Sequence, residues 1–274
     1  MTIPIARPGT IEKQHSTIKF GKNTVTKAAA PEIIRVEVEK TRRAFEIGKE
    51  CGLFRVPEVL DYDESKGIAI LERIGNIRPF DSAIRPYRST IERVGCSLAI
   101  IHDRLSLPDS MIVPLPVEFD WAGTGVFLHG DFNGCNVCFD TASHSVVILD
   151  WQMTPVHGGQ ATYGSRYFDL LWFINYALWS PKLHYLFCDP VAPMAEIFLC
   201  AYFREAGIPF DVQTLVLYAK RFFETKQSGR GRREGWMTRF LLQRSQVLTD
   251  KFVGSLPALS LSDIVPKYGN AGAR

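Results

Sequence analysis

The sequence predicts an α+β protein in two unequal parts. The first stretch, to about residue 75, reads as short β-strands around a single helix. The remainder is mainly helical, broken once by a cluster of short strands. With 274 residues and 46% hydrophobic content the chain can bury a substantial core.

The elements follow in order. Ser16 to Phe20 and Thr24 to Ala28 are rich in β-formers and flank Gly21-Lys22-Asn23, a hairpin signal. Pro31 and Glu32 suit the first turn of a helix, along which Val36, Phe45 and Ile47 recur among charged residues until Gly48 and Gly52 weaken the pattern. Two further strands are predicted near Glu58 to Tyr62 and Ile68 to Glu72, on either side of the polar turn Asp63 to Gly67. We place a boundary near Gly75, giving an amino-terminal lobe of residues 1–75 and a carboxy-terminal lobe of residues 76–274.

Beyond that boundary, Ile91, Val94, Leu98, Ile101 and Leu105 repeat at three- and four-residue steps and predict a helix over Tyr87 to Leu105 with one buried stripe. Strands are then expected at Val126 to Leu128, Asn136 to Phe139 and Val146 to Leu149. From Phe168 to about Phe252 apolar and aromatic residues sit at helical spacing.

Composition excludes several classes. The formal net charge of +3 is too small for a dedicated nucleic-acid binder. The apolar runs around Leu170 to Trp179 and Ile197 to Phe203 are too short or interrupted to span a bilayer, and the first ten residues lack a secretory pattern. Six cysteines without regular spacing suggest reduced thiols, so a cytoplasmic protein is expected, and Cys135 and Cys138 lack the second pair a zinc site would need. Basic residues cluster at Lys226, Arg230, Arg232 and Arg233, which reads first as a solvated face and second as a contact for an anionic partner.

The chemistry concentrates in His129-Gly130-Asp131-Phe132-Asn133-Gly134-Cys135-Asn136, followed after a hairpin by Ile148-Leu149-Asp150-Trp151. An Asp on a tight loop, an Asn five positions later and a second Asp at the end of the paired strand bring three oxygen ligands around one spot. Phosphoryl transfer needs such an arrangement, because it asks a protein mainly to position an acceptor and to fix a cation against phosphates. A polar turn beside a hairpin is the plainer alternative.

These segments resemble the H-G-D-x-x-x-x-N loop and the hydrophobic-Asp-aromatic motif of the aminoglycoside phosphotransferase and choline kinase families. The resemblance implies a bilobal protein-kinase-like fold that binds ATP and Mg²⁺ between its lobes and phosphorylates a small-molecule hydroxyl. Asp131 would be catalytic, and Asn136 and Asp150 would hold Mg²⁺. It further implies a phosphate-pairing Lys27 matched to a helix carboxylate, Glu39 with Glu37 as rival, and a hinge at Glu72 to Ile74 holding the adenine. Ser97 to His102 and Asp169 match two more of the families' segments, with structural roles favoured for His102 and Asp169. The glycine-rich loop of protein kinases is missing, and Asp150-Trp151-Gln152 replaces their Asp-Phe-Gly.

The rival classes are a pseudokinase serving as a binding module, disfavoured by the retained Lys27, Asp131, Asn136 and Asp150, and an atypical protein kinase, disfavoured by the lack of an Ala-Pro-Glu segment. The acceptor is left open. A net basic helical region favours a neutral or anionic molecule over a polycation, and Trp172, Tyr176 and Trp179 could line a cage but at helical spacing read first as core. Oligomeric state is not legible.

Overall fold

A computed structural model describes residues 9–13, 16–80, 88–122, 124–140, 142–143, 145–153, 160–179, 191–228, 247 and 250–256. The amino-terminal part is a five-stranded antiparallel sheet in the order β1-β2-β3-β6-β5, built from β1 (Gly9–Lys13), β2 (Ser16–Phe20), β3 (Thr24–Ala29), β5 (Val59–Asp63) and β6 (Ile68–Glu72). Helix α1 (Pro31–Cys51) connects β3 to the short strand β4 (Phe54–Arg55). The strand β1 was not expected. It pairs with β2 from Gly9↔Phe20 to Lys13↔Ser16, so only two residues join the strands where a protein kinase would carry its glycine-rich loop.

Helix α1 begins where its sequence dictates, with Pro31 in the first turn and Glu32 beside the positive end of the helix. It ends at Gly52, whose φ of 67° is open to a residue without Cβ, and whose amide donates to the Gly48 carbonyl at 2.9 Å. Gly48 serves a second purpose. A Cβ there would come within 2.7 Å of the Phe54 carbonyl oxygen, so the missing side chain lets β4 pass close to the helix.

The strand β4 pairs in parallel with β10 (Val146–Ile148), in a second sheet of order β4-β10-β9-β7, with β9 (Val137–Asp140) and β7 (Ile77–Pro79). A two-stranded ladder of β8 (Gly125–Phe127) and β11 (Tyr163–Ser165) lies beyond it. The helices of the carboxy-terminal part are α2 (Arg88–Arg104), α3 (Tyr167–Trp179), α4 (Val191–Ala206) and α5 (Val212–Ser228). Ile91, Val94, Leu98 and Ile101 of α2 are all buried, as the stripe predicts, and α2 packs along α4. The main core gathers these residues with Phe168, Phe173, Phe198, Tyr202, Tyr218 and Phe222. Among the described residues no helix is long and apolar enough to cross a membrane.

Candidate active site

The segment His129 to Asn136 leaves β8 and turns sharply before entering β9. Gly130 has φ 89°, and a Cβ there would meet the Met153 sulfur at 2.6 Å, so the turn requires glycine on both counts. The turn is held from below by Asp169 in the first turn of α3, whose Oδ2 accepts from the His129 amide at 2.7 Å and Oδ1 from the Gly130 amide at 2.9 Å. Burial alone would raise the Asp169 carboxyl, but hydrogen bonds from His102 and the Gly130 amide hold it below the usual carboxylate range. His102, on α2, reaches Asp169 Oδ2 through Nε2 at 3.1 Å and the Tyr202 hydroxyl through Nδ1 at 2.8 Å. Burial lowers the His102 pKa, so the neutral ring donates through Nε2 and accepts from Tyr202.

His129 is likewise neutral, its pKa pushed down to about 4 by burial. Its Nδ1 accepts from the Asp131 amide at 3.2 Å, and Nε2 donates to the Leu149 carbonyl at 3.1 Å. The ring thereby ties the Asp131 loop to the end of β10, and it lies against Trp151 with centroids 4.5 Å apart.

Asp131 has its carboxylate fixed from three directions. Oδ1 accepts from Trp172 Nε1 at 2.8 Å and Asn133 Nδ2 at 2.9 Å, and Oδ2 accepts from Asn136 Nδ2 at 2.8 Å. Burial pushes the carboxyl up to about 6, against the pull of these donors. Asn133 also accepts from the amides of Cys135 and Asn136 at 2.8 and 3.2 Å, a local turn that aims the loop into β9.

The Asn136 amide nitrogen faces the Asp131 carbonyl and carboxylate, which turns the oxygen of the same amide away from Asp131. Asp150 follows β10 with φ 56°, a left-handed conformation that Asp tolerates better than most residues and that redirects its side chain. Its Oδ1 accepts from Lys27 Nζ at 2.6 Å. The amide oxygen of Asn136 and the carboxylate of Asp150, both on the lining of one cavity, are hard oxygen donors of the kind Mg²⁺ takes. Among the described residues there is no cluster of three or more His, Cys, Asp or Glu that could hold a metal ion.

Lys27, on β3, is buried and pairs with both Asp150 and Glu37. Burial would lower its pKa, but the two carboxylates raise it, so it is cationic throughout the physiological range. The expected partner Glu39 is corrected by the structure. Two residues span about 200° of helix, so Glu37 joins the buried face with Ile34, Val38 and Thr41 while Glu39 points outward and pairs with Arg43 at 2.8 Å.

Lys27, Asn136 and Asp150 line one cavity of about 520 Å³ with Ile18, Val25, Leu71 and Leu149. Glu72, Arg73 and Ile74 form one edge of it, the strand-to-loop exit expected to be the hinge. The Glu72 side chain is turned to Arg55, at 3.1 Å, and Ile74 packs with Cys138 and Val147. Cys135 and Cys138 also line this cavity and are not disulfide-bonded. Side chains at Tyr176, Trp179 and Lys226, and the whole stretch Arg230 to Arg233, lie outside the described residues.

Three side chains at this site were not anticipated. Asn133 and the donor role of Trp172 carry no pattern distinct from a loop residue and a core aromatic. Lys40 does carry one: it lies one helical turn beyond Glu37, in line with the buried Ala44 and Ile47, and a charge in such a stripe needs a partner.

No protein-family model matches the sequence, and no curated protein matches it. Solved structures do. The GDP and kanamycin complex of APH(2")-IIia matches with a TM-score of 0.55 at 12% identity, covering 94% of this chain and 94% of that one. Macrolide 2'-phosphotransferase MphH from Brachybacterium faecium matches with a TM-score of 0.51 at 12% identity, covering 96% and 93%. A choline/ethanolamine kinase family protein from Mesorhizobium loti is similar at 14% identity, with a TM-score of 0.48 over 97% and 91%. The fold is that of the bilobal small-molecule kinases typified by the aminoglycoside phosphotransferases, as the first two matches show.

Proposed function

We propose that the protein is an ATP-dependent phosphotransferase that transfers the γ-phosphate to a hydroxyl of a small molecule. The observation that carries this reading is the convergence of Lys27, Asn136 and Asp150 on one cavity with the triply held Asp131 carboxylate beside them. Adenine lies against the Glu72 to Ile74 edge and between apolar side chains such as Val25 and Leu149. Lys27, held by Glu37, meets the phosphates. Asn136 and Asp150 would hold Mg²⁺, which would neutralise charge on the phosphates.

Asp131 receives the acceptor hydroxyl. A carboxyl near 6 is ionised at neutral pH, yet basic enough to take a proton as the oxygen forms its bond to phosphorus. The three donors fix its direction, so the hydroxyl is oriented in line with the phosphate it attacks. The 1–75 and 76–274 lobes supply phosphate-pairing and acceptor-positioning groups respectively. A neutral or anionic acceptor, such as a sugar, nucleoside or other metabolite, agrees with the basic character of the carboxy-terminal sequence.

Calorimetry tests the nucleotide part of the proposal. ATP binds at least about tenfold more tightly with Mg²⁺ than in excess chelator, because the cation joins protein and phosphates. GTP is titrated alongside, because the preference between adenine and guanine at the Glu72 to Ile74 edge is part of the same test. Equal ATP affinity with and without Mg²⁺ contradicts the assignment of Asn136 and Asp150.

A further inference from the structure

Lys40 is 1% exposed, and no step of the proposed reaction uses it. Its Nζ donates to the His129 carbonyl oxygen at 2.6 Å. The amide of the same residue donates to Asp169 at 2.7 Å. His129 is therefore gripped at its carbonyl from α1 and at its amide from α3, two different helices. Two residues further on is Asp131.

Helix α1 makes two contacts with the site through residues one turn apart. Glu37 fixes Lys27, and Lys40 fixes the loop. Lys27, which meets the phosphates, and Asp131, which meets the acceptor, stand on different halves of the chain, so transfer requires their separation to be set. One rigid helical turn can set it.

An ammonium group buried this deeply is costly, and burial pushes Lys40 down to about 8 although Asp169, Glu37, Asp131 and Asp150 all raise it. An apolar chain of similar length would fill the same space without that desolvation, but would leave the His129 carbonyl without this donor. The contact is thus poorly explained by packing.

We propose that Lys40 is a positioning residue that clamps the catalytic loop to α1 through the His129 carbonyl and so fixes Asp131 relative to the Lys27–Glu37 pair. The proposal rests on the phosphotransferase reading for its catalytic consequence, but not for the clamp itself.

The variants Lys40→Met, Lys40→Gln and Lys40→Arg test it, with thermal melting to verify folding. Amide hydrogen exchange across 129–136 needs neither nucleotide nor acceptor. It accelerates about tenfold or more in Lys40→Met, less in Lys40→Gln, and returns toward wild type in Lys40→Arg, which keeps charge and donors. With ATP turnover as readout, kcat of Lys40→Met falls about tenfold or more while KM for ATP stays within about threefold, because Lys27 and Glu37 are intact. Should Lys40→Met fail to fold, Lys40→Gln carries both measurements. Unchanged exchange in a folded Met or Gln variant overturns the clamp, and slower turnover traced to KM for ATP overturns the positioning role. A wild-type protein with a protected loop but no phosphate transfer removes the phosphotransferase reading and leaves the clamp standing.

Discussion

Asp131 accepts hydrogen bonds from Trp172, Asn133 and Asn136, and each favours the ionised carboxylate over the acid. The ionised form is the one that can receive a proton, so turnover declines as pH falls through the carboxyl pKa, which lies at about 6 before nucleotide binds. Removing the indole donor with Trp172→Phe favours the acid, so the acid limb of the kcat profile moves up by about one unit, the equivalent of roughly 1.4 kcal/mol for a bond to a charged group. A limb that stays in place, or moves down, contradicts the donor role. Asp131→Asn lowers turnover about a hundredfold or more and leaves ATP affinity within a few-fold, whereas Asp150→Asn impairs both. Parallel titrations of ATP binding and turnover distinguish the two.

Helix α1 carries the clearest contrast at the scale of an element. Glu37 and Glu39 are near neighbours in sequence, but the helix sends one to Lys27 and the other to Arg43 at the surface. Glu37→Ala leaves Lys27 without its helix partner and lowers kcat/KM for ATP about tenfold or more. Glu39→Ala removes an exposed pair worth about 0.5 kcal/mol at most and leaves kcat/KM within about twofold. Equal effects in the two variants contradict the assignment. At the other end of the helix, Gly48→Ala drives a methyl group into the Phe54 carbonyl, 2.7 Å from the new Cβ. The expected cost of about 1–3 kcal/mol appears as a melting temperature lower by several degrees.

These elements also mark what the sequence disclosed. The β-strands around Gly21-Lys22-Asn23 and the stripe of α2 were legible because period and turn chemistry are local properties, and the five-residue step from Asp131 to Asn136 returns in the structure as a hydrogen bond between the two. The choice between Glu37 and Glu39 was not, because it depends on which face of α1 meets β3, and the apolar pattern there is interrupted by charges. Strand β1 is a short run with a charged end whose partner fixes it, and β4 has two residues. Trp172 reads as core from its spacing, and it is core on one side: it stacks on Phe168, with centroids 5.9 Å apart, while its indole nitrogen reaches Asp131.

For the molecule as a whole, Lys40 links the site to stability. Its pKa is about 8 in the folded protein, below the ordinary lysine value of 10.5. Between those values the unfolded chain binds the extra proton, so the free energy of unfolding rises with pH across this window. The shift amounts to about 3 kcal/mol, counted at roughly 1.36 per unit. Denaturant titrations at pH 8 and pH 10 show this rise in wild type relative to Lys40→Met, a difference that cancels the titration of other groups. A fold of this kind serves many acceptors, and similarity at 12% identity shows the fold alone. Phosphate transfer itself is therefore the property to measure. Protein is incubated with Mg²⁺, ATP labelled in the γ-phosphate and a metabolite pool, and the labelled products are identified by mass spectrometry for wild type and Asp131→Asn. Label appearing in a small hydroxyl compound with wild type and not with the variant is the predicted result; no labelled small molecule with wild type, or equal labelling with both proteins, would contradict it.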